Sequence, residues 1–318
     1  MPQRSSAKLT EETGPGNSFQ ALAEDWLSHQ SGRWEVVTLE RTRASLVADV
    51  FPVLGASPVA TITTRQVMDV VKAIEKRGAA EIAMRVLQRI KAIYRYGVTH
   101  QRIESNPMIN LVPSEILKPR KVQHRAALSH ADLPEFLGKL SIYQGDRHTI
   151  HALELLMLTA ARPGEVRGAR WTEFDLASKV WRIPAERMKM RNEHVVPLSP
   201  QAVKILNAME SLSGSRELVF PSPFYPSKPL SENTFNSAMA RMGYKYSATA
   251  HGFRALFSTV ANEAGWSSGA IERQLAHAER NQVRAAYDRG VRLAERTKMM
   301  AWWADYLDSK RGMAARVG

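Results

Sequence analysis

The stretch Thr159-Ala160-Ala161-Arg162-Pro163-Gly164-Glu165-Val166 sets one arginine in the joint between two helices. Ahead of it, residues 152–159 are almost continuously apolar, which is how a buried helix reads. Pro163 suits the first position of a fresh helix, where its missing N–H would have had no partner. An arginine so placed is ordinarily a surface charge or the partner of a nearby acid, and Glu165 lies three residues on. The rigid end of a buried helix is also a good platform for a preorganised cation.

Further along the chain stand other groups that can handle an anion. His251-Gly252-Phe253-Arg254 precedes the apolar stretch Ala255 to Ala261, so His251 and Arg254 are expected three apart at a helix start, where an anion is favoured. A capping histidine beside an exposed arginine accounts for that motif equally well. His277 lies in Leu-Ala-His-Ala-Glu, after a helix expected to end near Leu275, and Tyr287 follows ten residues later in Arg-Ala-Ala-Tyr-Asp. A tyrosine on a helix is usually packed rather than nucleophilic. Lys189 sits in Met-Lys-Met-Arg-Asn-Glu, after Trp181-Arg182-Ile183-Pro184, with Arg187 and Arg191 as alternatives close by.

The 318 residues exceed one typical domain, and 44% hydrophobic content is ample for packed cores, so two domains are expected. Lys plus Arg number 44 against 31 Asp plus Glu, a net charge of +13 that favours a polyanionic partner. With no cysteine, disulfides, thiolate metal sites and cysteine nucleophiles are excluded. Nine histidines include His148 and His151 at i, i+3, but no His-Glu-x-x-His pattern, so no metal is expected. The phosphate loop of nucleotide-driven motors is missing too. No apolar run approaches the ~20 residues of a membrane span, and the first residues lack a signal-peptide core, so a cytoplasmic, nucleoid-associated protein is expected.

Residues 1–17, with Gly14-Pro15-Gly16, read as a flexible tail. Four amphipathic helices should follow. Phe19, Leu22, Ala23, Trp26 and Leu27 repeat behind Ser18, a plausible N-cap; a second helix over about 38–50 carries Leu39, Leu46, Val47 and Val50. The third has the capping-box spacing Thr63 to Gln66, then Val67, Val70, Val71 and Ile74, and stops at Gly78. The fourth, about 80–96, should bury Ile82, Val86, Ile90 and Ile93 and end at Gly97. Beside that stripe stand Arg85, Gln88, Arg89 and Arg95, which either follow a phosphate backbone or form a solvated face. This helical domain spans 18–112, a basic linker 113–126, and a second domain 127–318 opens with a helix at Ser129. Short β-prone segments at about 171–175, 179–184 and 193–198 suggest a small antiparallel sheet in an otherwise mainly α chain.

The order Arg162, Lys189, His251, Arg254, His277, Tyr287 resembles the tyrosine recombinases, or phage integrases. Within them it is most similar to integrases of prophages and integrative islands, through residues 159–166, His-Val-Val-Pro-Leu at 194–198 and Leu-Ala-His at 275–277. The resemblance covers nearly everything from about residue 18, and implies a core-binding domain at 18–112 and a catalytic domain at 127–318 clamped around double-stranded DNA. By it, Arg162 and Arg254 hold the scissile phosphate, His251 and His277 orient it and move protons, and Glu165 supports Arg162. Tyr287 attacks phosphorus to form a 3′-phosphotyrosyl link, and Lys189 protonates the leaving 5′-oxygen. Because one ester replaces another, neither ATP nor a metal cofactor is required.

The family further implies a homotetramer exchanging strands on two DNA sites through a Holliday junction, with DNA-bending accessory proteins as candidate partners and integration or excision of a mobile element as the outcome. The C-terminal set Met299, Met300, Trp302, Trp303, Tyr306 and Leu307 then either docks on a neighbouring protomer or packs on its own domain. Many such integrases also carry an N-terminal arm-binding domain, and only the short tail precedes residue 18 here. Where relatives have a Lys-Thr-Gly-like turn, this chain has Lys-Met-Arg. The alternatives are a type IB topoisomerase, which usually has lysine at the place of His251, and a non-catalytic DNA-binding regulator of the same fold.

Overall fold

The computed structural model describes residues 15–119, 127–188, 191–277 and 292–317. The chain divides into two compact units, Met1–Val122 and Gln123–Gly318. Most of the tail expected at 1–17, and residues 120–126 of the linker expected at 113–126, lie outside the described residues.

The first unit is built on α1 (Phe19–Gln30), α2 (Val36–Asp49), α3 (Thr64–Lys76) and α4 (Ala80–Thr99). Ser18 caps α1 by accepting the Ala21 N–H at 3.2 Å. Thr63 and Gln66 form the expected reciprocal box at α3: the Gln66 N–H reaches the Thr63 hydroxyl, and Gln66 Oε1 accepts the Thr63 N–H at 2.9 Å. The chain leaves α3 through Gly78, whose φ of +87° suits glycine.

Three details depart from the helical pattern read in the sequence. Val47 and Ile82 are exposed, because the buried stripes are set by Leu46 and Val50 and by Ala83, Val86, Leu87, Ile90, Ile93 and Tyr94. The second helix begins at Val36, two residues early. And α4 runs through Gly97 instead of stopping there: a Cβ at Gly97 would come within 2.9 Å of the Leu22 side chain, so this glycine serves the close approach of α1.

The second unit orders α5 (Leu133–Ser141), α6 (Arg147–Thr159), α7 (Pro163–Arg167), β1 (Phe174–Asp175), β2 (Val180–Ile183), β3 (His194–Pro197), α8 (Pro200–Ser213), α9 (Thr234–Arg241), α10 (Gly252–Glu263), α11 (Ser268–Gln274) and α12 (Leu293–Val317). The opening helix starts at Leu133, and Ser129 with Asp132 makes a hydrogen-bonded turn before it. The three strands form one antiparallel sheet in the order β1-β2-β3, with Phe174 opposite Trp181 and Ile183 opposite His194. Trp181 is fully buried, stacked on Phe174 and donating its indole N–H to Glu173 at 2.9 Å.

The chain is thus mainly helical with one small antiparallel sheet, as expected. Nearly every side chain of α6 between Ala152 and Thr159 is interior. The apolar set of α12 is interior too: Met299, Met300, Trp303 and Leu307 are buried in this unit's own core, and Trp303 donates to the Met157 carbonyl at 2.8 Å. Trp302 and Tyr306 pack against the same core. Of the two placements open to this set, packing on its own domain is the one these contacts show. No helix among the described residues is long and apolar enough to cross a membrane.

Candidate active site

Where α6 ends, Ala160 turns left-handed at φ 49°, and Arg162 stands in extended conformation just before Pro163 at the start of α7. Glu165, buried in the first turn of α7, reaches back. One carboxylate oxygen accepts the Arg162 backbone N–H and the other accepts Arg162 Nη1, each at 2.7 Å. The acid both caps α7 and holds the base of the arginine's fork, leaving the Arg162 side chain 22% exposed. Its Nη2 donates to the Ala276 carbonyl at 2.9 Å.

Arg254 comes from the first turn of α10 and is buried. Its Nη1 donates to the Ala160 carbonyl at 2.7 Å and its Nη2 to the carbonyl of Leu275. The carbonyls concerned are the loose ends of two helices. The last turns of α6 and α11 leave C=O groups without helical partners, and the negative end of each helix dipole favours cations. Two guanidiniums are thereby fixed by adjacent carbonyls, Leu275 and Ala276, and by a single paired carboxylate. Burial, reinforced by the charge of Arg162, pulls the Arg254 pKa down to about 10, while Glu165 and Glu272 oppose the shift. It remains a cation at neutral pH, in a place that an anion would relieve.

His277 follows directly. Its Nδ1 lies 2.7 Å from Glu272 Oε2 and its Nε2 3.5 Å from Arg254 Nη2. A guanidinium cannot accept a hydrogen bond, so in the neutral ring the proton belongs on Nδ1, toward Glu272, and the bare Nε2 faces the arginine. His251 immediately precedes α10; its side chain is exposed and its carbonyl accepts the Arg254 N–H at 3.2 Å.

The fold therefore pairs Arg162 with Glu165 and Arg254 with His277 and brings the two pairs together on the adjacent carbonyls of Leu275 and Ala276, with His251 one turn away on the α10 entry. Lys189 and Tyr287 lie outside the described residues. Arg187, one alternative to Lys189, is committed elsewhere: it pairs with the buried Glu173 and donates Nη2 to the Glu165 carbonyl at 2.6 Å.

Several neighbours were not singled out from the sequence. Glu272 orients His277. Gln274 is wholly buried, and Arg296 and His194 surround it. A signal for two of them exists: Gln274 stands in register with Ala270, Ile271 and Leu275, and Arg296 with Met299, Met300 and Trp303, so each is a polar residue at a core-facing helical position.

In the first unit, Arg85, Gln88 and Arg95 are exposed along α4, within an arc of roughly 80° at 100° per residue. Arg85 pairs with Glu81 one turn earlier. Arg89 instead turns inward to the Ser45 hydroxyl on α2, and burial with the nearby charge of Arg85 lowers its pKa.

Residues 19–113 match the family model described as the phage integrase central domain, and residues 126–291 that of the phage integrase family. The second match spans all six candidate catalytic positions. The chain belongs to the phage integrase family. Its curated relatives include the integrase of Enterobacteria phage P4, 41% identical over 94% of this chain and 71% of that protein. Another is the prophage integrase IntA of Escherichia coli K12, 35% identical over 91% and 70% of the respective lengths. Among solved structures, a lambda integrase tetramer bound to a Holliday junction aligns with TM-score 0.71, at 16% identity, over 89% of this chain and 83% of that one. The Tn1549 transposon integrase in complex with circular intermediate DNA aligns at 0.63, 17% identical, over 89% and 99%. This integrase is a site-specific tyrosine recombinase. A topoisomerase or a non-catalytic regulator is not what these matches favour.

Proposed function

We propose that this integrase cleaves and rejoins double-stranded DNA with Arg162 and Arg254 as a paired clamp on the scissile phosphate, His277 and His251 as its imidazole partners, Lys189 as general acid and Tyr287 as nucleophile. The observation that carries it is the fixing of two guanidiniums on the carbonyls of Leu275 and Ala276, next to His277. Each guanidinium has five N–H donors, and the bonds to described residues leave some on both for phosphate oxygens.

The chemistry follows from that placement. The Tyr287 oxygen forms a bond to phosphorus, its proton passing to a base, and the bond from phosphorus to the 5′-oxygen breaks, that oxygen taking a proton from Lys189. Negative charge grows on the nonbridging oxygens of the pentacoordinate species, and preorganised cations stabilise it more than they stabilise the ground state. Arginine forks suit two oxygens at once, as a lysine point charge does not. A phenol, with an ordinary pKa of about 10, needs such cations or a base to ionise at neutral pH. Rejoining reverses the steps with a 5′-hydroxyl as attacking group.

That lambda integrase is seen as a tetramer on a Holliday junction supports assembly of four protomers on two sites, and the prophage relatives support integration or excision of a mobile element. Tyr287→Phe tests the central role. It removes one oxygen and keeps the ring, so DNA binding should persist while no denaturant-resistant adduct forms on a nicked suicide duplex. An adduct formed by that variant would overturn the assignment.

A further inference from the structure

The first turn of α12 places Arg296 in the interior of the second unit, 3% exposed and paired with no carboxylate among the described residues. Its partners are neutral. Nε and Nη2 both reach Gln274 Oε1, at 3.1 and 2.7 Å, and Nη2 also donates to the Val195 carbonyl of β3 at 2.6 Å. The other end of the Gln274 amide donates to the Thr159 carbonyl at 2.7 Å. His194 donates its Nε2 proton to the Gln274 backbone carbonyl at 3.1 Å.

The position of this clamp is what gives it a consequence. Thr159 is the last residue of α6, three before Arg162. Gln274 begins the turn whose next two carbonyls, Leu275 and Ala276, receive Arg254 and Arg162, and whose following residue is His277. One buried side chain therefore spans from the helix behind one arginine to the turn that orients both. Arg296 sets its orientation, since a carboxamide held by two N–H groups at its oxygen cannot flip.

Arg296 is a costly way to fill space. Burial, with the charge of Arg273, pulls its pKa down to about 9. An apolar side chain in its place would leave Gln274 Oε1 and the Val195 carbonyl without the donor they have here, so the position is committed to a donor. What the guanidinium adds is direction: it fixes the amide and ties it to β3.

We propose that Arg296 is a positioning residue for DNA cleavage, which acts through Gln274 to hold the Gln274–His277 turn and so to place the Arg162 and Arg254 guanidiniums on the phosphate. This rests on the reading that those two arginines hold the scissile phosphate. The same contact ties the start of α12, six residues after Tyr287 in the chain, to that turn.

The test uses the full chain on a nicked duplex carrying its recombination site, identified from the ends of the element that bears the gene. Arg296→Met should bind this DNA within about twofold of the original and melt lower, because Gln274 Oε1 and the Val195 carbonyl lose their donor. Its single-turnover cleavage should fall about 10- to 100-fold, because a misplacement of ~1 Å at a reacting centre costs on the order of 100-fold. Arg296→Lys, which keeps a donor, should recover part of the loss. Because lost stability alone can slow the Met variant, Arg296→Lys decides: slowed cleavage at unchanged melting temperature supports the inference, and original-rate cleavage overturns it. Lower melting temperature with matching loss of DNA affinity in both variants would make the residue merely structural. Arg162→Ala and Arg254→Ala run alongside. If they cleave normally, the parent reading has failed; if they are inactive while Arg296→Met cleaves at the original rate, only the present inference has.

Discussion

Arg254 Nη1 donates to the carbonyl oxygen of Ala160 at 2.7 Å, across 94 residues of sequence. The bond joins the helix that supplies one catalytic candidate to the left-handed residue that ends the helix behind the other. Arg254 is thereby held by the end of the helix behind Arg162, and both arginines by the turn after α11, so the placing of the two guanidiniums is a property of the packed domain rather than of either motif.

Arg254→Lys tests that geometry directly. A lysine ammonium cannot span the carbonyls of Ala160 and Leu275 and still present a fork to phosphate. Single-turnover cleavage should fall on the order of 100-fold or more, as when one preorganised transition-state donor is lost. Retention of near-original cleavage would remove Arg254 from the clamp.

The identity of the general acid can be settled with a substrate whose bridging 5′-oxygen is replaced by sulfur, because a thiolate leaves without a proton. Lys189→Ala should be slow on ordinary DNA and close to original on the sulfur substrate. Equal impairment on both would pass the role to Arg191 or His251. Arg187 should behave differently. Removing it strands the buried Glu173 carboxylate, so Arg187→Ala is expected to lose about 3 kcal/mol of stability, read from denaturant unfolding, with no selective rescue by sulfur.

His194 makes the domain sensitive to acid. Burial, then the charges of Arg296, Arg273 and Arg162, pulls its pKa from an ordinary value near 6.5 down to about 3, against the opposing bond to Gln274. Between those values the unfolded chain binds a proton that the folded chain refuses. The stability this group contributes is therefore complete above pH 6.5 and is lost as pH falls toward 3, at up to about 1.4 kcal/mol per pH unit. His194→Gln keeps a donor for the Gln274 carbonyl and should flatten the dependence of melting temperature on pH between 6.5 and 4.5. An unchanged slope would show that other groups govern it.

On α4, Arg85 and Arg95 are exposed, whereas Arg89 is drawn to Ser45. If the exposed pair meets phosphate, Arg85→Ala with Arg95→Ala should make the slope of log K against log salt shallower by roughly two units, since each phosphate contact contributes about 0.9. Arg89→Ala should act mainly on folding stability. A slope unchanged in the double variant would take this helix face off the DNA.

Much of the fold was legible because it rests on local rules. The Thr63–Gln66 box, the Ser18 cap, the three strands and the buried α6 each follow from spacing and turn chemistry within a few residues. The joint at Ala160 to Glu165 was legible as well, since Pro163 and Glu165 are helix-start residues wherever they occur. Gly97 misled, because its role is set by the Leu22 side chain from another helix, and no local pattern carries that. Ile82 and Val47 misled for the same reason: a stripe can rotate by one residue when a neighbouring helix selects its face.

By itself, then, the order of Arg162, His251, Arg254, His277 and Tyr287 determined the family and the chemistry to expect, because phosphate transfer needs those groups and the chain spaces them in a known sequence. Only the tertiary structure decided how the cations are held. The carbonyls that carry Arg162 and Arg254 are backbone atoms and leave no mark on residue identity. The Gln274 and Arg296 contact joins segments whose partners are chosen by packing. Likewise the sequence left the apolar set of α12 free to face a neighbouring protomer or its own core, and the structure places Met299, Met300, Trp303 and Leu307 in the core of their own domain, where burying apolar area stabilises it.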